Sequence, residues 1–170
     1  MTPLEQGVLA EITPTPAEEA AAARAVADLE AEATRALAEA GLPGAAAVQG
    51  SLAKGTWLKG GADIDLFLLL DPAVPLDELE SVAERVGRRI LEKPQKKYAQ
   101  HPYLQGFFRG QAVDLVPAYR VASAHAKMSA VDRTPFHTAW VRTRLDARGR
   151  GEVRLAKRWM KGVGVYGAET

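Results

Sequence analysis

Apolar residues along this chain recur at two periods, and the places where the period changes mark out its elements. Thr15, Pro16 and Glu18 form a capping-box pattern with proline at the first helical position. Val26, Leu29, Ala33, Leu37 and Ala40 then recur at helical spacing until Gly41 and Pro43 stop the run, which predicts a first helix of about six turns. "AAAVQGS", residues 45–51, reads as a short buried strand running into a glycine turn. "DIDLFLLL", residues 63–70, is a second strand, too apolar after its aspartates to have a solvated face. "LDELESVAERVGRRILE" places Leu79, Val82, Val86 and Ile90 on one side of a helix, and the following "EKPQKK" reads as a solvated loop. "YLQGFFRG" and "QAVDLVPAYRV" predict a hairpin joined near Gly110 and ended by Pro117. From about residue 125 the period becomes helical again, in "TPFHTAWVRTRL" and "EVRLAKRWMKGVGVYG". The expected class is α/β, a small mixed β-sheet packed by helices, with a C-terminal helical extension.

With 170 residues of which 47% are apolar, the chain is expected to form one ordinary domain, or a domain with a short appendage, around a real core. The net charge of +1 hides an asymmetry. Residues 1–40 carry eight acids against Arg24 and Arg35, whereas residues 141–161 carry Arg142, Arg144, Arg148, Arg150, Arg154, Lys157, Arg158 and Lys161 against Asp146 and Glu152. A solvated helix face explains such a run on charge alone, but it also gives one end of the chain the means to face phosphates. Cysteine is absent, which excludes a disulfide framework and a thiolate metal site and leaves oxygen or histidine as the only metal ligands. The first residues lack a basic stretch followed by an apolar core, and no apolar run is long enough for a bilayer, so the expected location is cytoplasmic with no membrane partner.

Within that frame the acids of the second strand stand out. Side chains alternate along a strand, so Asp63 and Asp65 project from one face while Ile64, Leu66 and Leu68 project from the other into the core. Asp114 lies in a later strand between Val113 and Leu115, and matched register would bring its carboxylate to the same place. Three converging carboxylates repel one another unless a proton or cation intervenes. Magnesium takes oxygen ligands and commonly bridges one or two carboxylates to substrate phosphates. Taken singly, Asp63 reads as a turn residue after Gly60 and Gly61, and Asp65 as a strand-end acid bonded to backbone. A third acid in an apolar strand has no turn role. Gly50 and Ser51 add a turn that presents backbone N–H groups and a hydroxyl to an anion, about a dozen residues ahead of the acid pair.

With these residues in view, "GSLAKGTWLKGGADIDLF" resembles the signature of the nucleotidyltransferase superfamily of DNA polymerase β: a Gly-Ser, an acid pair on a strand, and a third acid on a later strand. More narrowly, "AKGTWLKG", "VDLVPAY", "SAVDRTPFHT" and "EVRLAKRWMKGVGVYGAE" are similar to the archaeal, class I, CCA-adding tRNA nucleotidyltransferases, in the family's order and from about residue 16 onward. The resemblance implies a polymerase β-like palm with a catalytic domain over residues 1–122 and, over 123–170, the start of a central nucleotide-binding domain. It implies template-independent addition of C, C and A to the 3′ end of tRNA from CTP and ATP, with Mg2+ and a two-metal-ion phosphoryl transfer. Residue by residue, it makes Asp63, Asp65 and Asp114 the metal ligands and catalytic acids. Aspartate at 63 replaces the glutamate often found there. It assigns Gly50, Ser51, Lys54, His137, Lys157 and Tyr166 to nucleotide binding, with Lys54 where the family often has arginine.

The residues themselves support part of this. Arg154, Lys157, Arg158 and Lys161 are expected on one stripe of the last helix, suited to a triphosphate or an RNA backbone, with Val153, Ala156 and Met160 inward. His137 reads equally as a structural histidine. Tyr166 reads as a base-stacking ring or a cover for the core. His101, His125, Trp57, Trp140 and Trp159 are expected to be structural. Members of the resembling family continue well past "VYGAE", so an excised catalytic part or a short relative is expected. The alternatives are a nucleotide- or RNA-binding fragment without turnover and a minimal nucleotidyltransferase with another acceptor. Oligomeric state is not readable from these residues.

Overall fold

A computed structural model describes residues 1–98 and 102–166. The predicted first helix is α2 (Pro16–Glu39), capped as expected: Glu18 N–H donates to Thr15 Oγ1 at 3.2 Å, and Thr15 N–H donates to Glu18 Oε2 at 2.7 Å. A helix the hydrophobic pattern did not announce, α1 (Pro3–Ile12), precedes it with its own capping box on Thr2 and Glu5. Its apolar residues Leu4, Val8, Leu9 and Ile12 recur at helical spacing but none is fully buried, and the stripe is only about three turns long.

The chain then forms β1 (Gly44–Val48), the short helix α3 (Gly50–Lys54), β2 (Ile64–Leu70) and α4 (Leu79–Ile90). Three strands follow: β3 (Glu92–Tyr98), β4 (Pro102–Phe108) and β5 (Gln111–Tyr119). Helices α5 (Thr134–Arg144) and α6 (Ala147–Gly162) complete it. The five strands form one mixed sheet in the order β1-β2-β5-β4-β3, with β2 and β5 parallel and every other pair antiparallel.

Three expectations need correction. "EKPQKK" is most of strand β3 and not a loop. It lies at the sheet edge, where lysine and proline block further strand pairing and no apolar alternation is required. Pro117 does not end β5. That strand runs on to Tyr119, paired with β2 through Leu68↔Pro117, while the pairing with β4 covers Gln111 to Leu115. The last helix starts at Ala147, five residues ahead of Glu152, with Asp146 as its cap: Gly149 N–H donates to Asp146 Oδ1 at 2.7 Å.

The hairpin between β4 and β5 turns on Arg109 and Gly110, both at positive φ (49° and 80°), as a two-residue turn of the primed type demands. Arg109 is held there by ion pairs to Asp28 and Glu32 of α2.

The core lies between the sheet and the pair α2 and α4. Leu29, Ala33 and Leu37 of α2 and Val82 and Val86 of α4 meet Ile64, Leu66, Leu68 and Leu70 of β2 and Val113 and Leu115 of β5. The other edge strand, β1, is sealed by α2. Ala46 N–H donates to Thr34 Oγ1 at 3.0 Å, and Val48 N–H donates to Glu30 Oε1 at 2.7 Å. These are alternate residues of β1, whose N–H groups point away from β2. With the helices on one face, the residues between the core positions, Asp65 of β2 and Asp114 of β5, emerge on the other. No helix among the described residues is long and apolar enough to cross a membrane.

Candidate active site

Register does what the sequence alone could not show. Asp65 and Asp114 are Cα partners in the parallel pair β2–β5, so their side chains leave the sheet side by side. Asp63, exposed just ahead of β2, joins them at the wall of a cleft of about 680 Å³ that also takes in Ser51, Lys157, Lys161 and Tyr166.

Two of the three carboxyls hold their protons more tightly than usual. The Asp65 carboxyl is pushed above its ordinary range, first by burial, then by Asp114 and Asp63, with Lys54 and Lys157 acting in the opposite direction. Asp114 is also raised, chiefly by burial. A hydrogen bond from Gln105 Nε2 to Asp114 Oδ1, 3.0 Å long, counters this, and Asp63 adds to the rise. A site that gathers negative charge and raises the proton affinity of its own acids suits a cation. Its ligands would be oxygens, which selects a hard ion of the magnesium type. Among the described residues no three acids or histidines are placed closely enough to form a complete ligand shell by themselves, which suits an ion that takes part of its oxygen shell from water or substrate.

Gly50 shows how tightly the Gly-Ser turn is pressed onto these acids. Its φ is +65°, and a β carbon built on it would lie 1.7 Å from Asp65 Oδ2. Only glycine lets the head of α3 approach so closely. Gln49 N–H donates to the Asp65 carbonyl at 2.8 Å, which ties the same turn to β2 through its backbone.

Helix α6 closes the cleft, and its basic residues divide into two kinds. Lys157 donates from Nζ to the Thr56 carbonyl at 3.1 Å and lines the cleft. Burial and then Lys54 hold its ammonium below the ordinary lysine range, with Asp65 opposing them. Lys161 also lines the cleft and stands 5.4 Å from the centre of the Tyr166 ring. Arg154 is not on a phosphate-facing stripe: it is 7% exposed and donates from Nε to the Trp57 carbonyl at 3.0 Å and from Nη2 to the Gly55 carbonyl at 2.9 Å. It clamps the turn behind Ser51. Ala156, expected inward, is exposed, while Val153 and Met160 are half-buried.

Of the other expected residues, Lys54 ends α3 half-buried and acts on Asp65 and Lys157 through its charge, although it is not part of the cleft wall. His137 is exposed on α5, and the structure does not bring it into the cleft wall. Its neighbour Thr138 is the buried residue of that helix. Trp57 is structural, 9% exposed, but Trp140 and Trp159, at 59% and 67%, are surface residues. His125 is exposed, and His101 lies outside the described residues. Asp132, in the middle of "SAVDRTPFHT", is fully buried and accepts from the backbone N–H groups of Tyr119 and Met128, both at 2.8 Å, so it joins the end of β5 to the segment before α5. Gln105, which donates to Asp114, is a neighbour of the acids that the sequence reading passed over.

An acid pair at the start of an interior strand, one just ahead of it and one within it, a third acid at matched register on its parallel neighbour, and a Gly-Ser turn packed against them define a nucleotidyltransferase class. Residues 31–137 match the nucleotidyltransferase domain family, and the chain belongs to it. It is 48% identical over 160 residues to the CCA-adding enzyme of Halobacterium salinarum, covering 93% of this chain and 35% of that protein. To the CCA-adding enzyme of Haloarcula marismortui it is 41% identical over 162 residues, covering 95% and 35%. The chain thus spans about a third of the length of these curated relatives. Its fold is shared at lower identity with solved structures. CdnC of E. coli MS115-1 with HORMA-deltaN gives a TM-score of 0.69 at 21% identity, covering 95% of this chain and 57% of that one. Cid1 poly(U) polymerase with Mg and 3′-dATP bound gives 0.64 at 22%, covering 93% and 46%.

Proposed function

We propose that this chain is the catalytic part of a CCA-adding nucleotidyltransferase, which transfers CMP and AMP from CTP and ATP to the 3′ end of tRNA with Mg2+. The observation that carries the reading is the register of Asp65 against Asp114, with Asp63 beside them in the same cleft. The name of the archaeal relatives, CCA-adding enzyme, supports C and A as the nucleotides added, and the tRNA acceptor follows from the family resemblance.

In this reading Asp63, Asp65 and Asp114 hold the divalent cations. Bound there, the cations would lower the pKa of the attacking 3′-hydroxyl and neutralise charge on the triphosphate. Lys157 and Lys161 of α6 offset phosphate charge without donating a covalent group, and the Ser51 hydroxyl in the same cleft wall offers a hydrogen bond. Tyr166 presents a ring face on which a base can stack. Gly50 gives the Gly-Ser turn room to sit over Asp65, so that the turn's backbone N–H groups can face the triphosphate. Helices α5 and α6 are read as the start of a central nucleotide-binding domain. His137 is given no phosphate contact, because its helix keeps it out of the cleft wall.

The test is extension of a labelled tRNA that lacks its 3′ terminus, with Mg2+ and each of the four nucleoside triphosphates in turn, beside an Asp63→Asn control. Addition of C or A that disappears in the control supports the reading. A folded protein that binds CTP yet adds nothing supports a binding fragment without turnover instead.

A further inference from the structure

Gln105 meets Asp114 from directly across the β4–β5 ladder, where the two are Cα partners. Asp114 is also the Cα partner of Asp65 on its other side, so Gln105, Asp114 and Asp65 form one row across three adjacent strands. Gln105 Nε2 donates to Asp114 Oδ1 at 3.0 Å, and both side chains are half-buried. The backbone that carries Gln105 is itself fixed. Leu104 before it is buried in the core, and a β carbon on Gly106 after it would lie 3.0 Å from the Glu92 carbonyl and 3.0 Å from Leu91 Cβ.

A carboxylate has two oxygens, and its terminal torsion is broad when nothing holds it. A donor on Oδ1 sets that torsion and leaves the second oxygen to another partner. The donor here is neutral, and that matters in a cleft built on negative charge. Lysine or arginine at this position would cancel the charge of Asp114, and glutamate would add a fourth carboxylate to the cleft.

We infer that Gln105 is a positioning residue: by engaging Oδ1 of Asp114 it presents the other carboxylate oxygen to a divalent cation shared with Asp65. The inference rests on the metal-dependent reading of the cleft proposed above. Gln105 does not touch substrate in this role. Groups that orient a metal ligand in this way are commonly worth about 10- to 100-fold in metal affinity or activity.

The test uses Gln105→Met, which keeps the length and removes the donor, and Gln105→Asn, which keeps the amide but falls one methylene short. Mn2+ binding is followed by electron paramagnetic resonance in the presence of a non-hydrolysable CTP analogue, with thermal melting of the metal-free protein alongside. Both variants are expected to bind Mn2+ about tenfold more weakly or worse, with melting close to wild type. The KM for CTP should stay unchanged while kcat falls and partly recovers as Mn2+ is raised. In an Asp114→Asn background, Gln105→Met is expected to have no further effect on Mn2+ binding, because the bond it removes acts only through Asp114. Wild-type Mn2+ affinity in both variants overturns the inference. So does a loss that persists undiminished in the Asp114→Asn background. A wild-type protein that binds no Mn2+ overturns the metal reading itself, an outcome separate from either of these.

Discussion

Gly50 leaves no room for a side chain beside Asp65, and that close approach makes a sharp prediction. A methyl group at residue 50 would collide with the carboxylate, and φ of +65° is unfavourable for any residue with a β carbon. Gly50→Ala is expected to displace Asp65, to reduce tRNA extension at least 100-fold, and to lower stability by about 1–2 kcal/mol in urea denaturation. The raised proton affinity of Asp65 has a signed consequence as well. A carboxyl whose pKa is higher in the folded than in the unfolded state binds more protons when folded, so its contribution to stability falls as pH rises from the unfolded value through the folded one. Asp65→Asn removes that penalty. Without metal, the variant is expected to melt a few degrees above wild type at pH 7, and the advantage should vanish near pH 4. An advantage that does not change with pH would show that charge is not its source. At this scale the sequence was informative where alternation governs: Asp63 and Asp65 on one face and Ile64, Leu66 and Leu68 on the other follow from a period of two. It was silent where a partner comes from a distant strand. Gln105 looks like any polar residue in "YLQGFF" until register sets it against Asp114, and Arg154 looks like a surface cation until the carbonyls of the 55–57 turn claim it.

Elements are held by bonds between these distant partners, and two of them are open to measurement. Arg154 joins α6 to the turn that follows α3, so removing its guanidinium leaves two carbonyls of that turn without their donor. Arg154→Met is expected to cost about 2–3 kcal/mol, read from denaturant midpoints, and to weaken CTP binding because Lys157 rests on Thr56 of the same turn. A variant with wild-type stability would return Arg154 to the solvated stripe expected of it. Glu30 plays the corresponding part at the sheet edge. Glu30→Ala deprives the Val48 N–H of its acceptor and is expected to cost about 1–3 kcal/mol, measured in the same way. The helices and strands that face the core were legible because each buries a periodic apolar set. The exceptions were α1, which buries no residue, and β3, an edge strand rich in lysine. Pro117 read as a stop because proline seldom continues a strand, but the ladder with β4 has already run out where it stands.

Across the whole molecule, charge is sorted by layer. Helix α2, rich in acids, packs with α4 on the core side of the sheet, and in the cleft on the other side the lysines of α6 stand across from the three aspartates. A net charge of +1 therefore conceals a face suited to polyanions. If tRNA phosphates reach that face, its affinity must fall with salt, because each neutralised phosphate releases counter-ions. Plotted as the logarithm of the binding constant against the logarithm of KCl concentration, the slope should lose roughly 0.7–0.9 for each contacting cation removed. Lys161→Ala, in the cleft wall, is expected to reduce the slope by that amount in filter binding. Arg88→Ala should leave it unchanged, since Arg88 sits on α4 and pairs with Glu84 at 3.8 Å. The opposite pattern, with Arg88 carrying the salt dependence and Lys161 none, would place the RNA backbone on the helical face and separate acceptor binding from the three aspartates. Equal slopes for both variants and wild type would mean that neither cation meets a phosphate. In that case the tRNA grip would have to come from the two thirds of the relatives' length that this chain does not span.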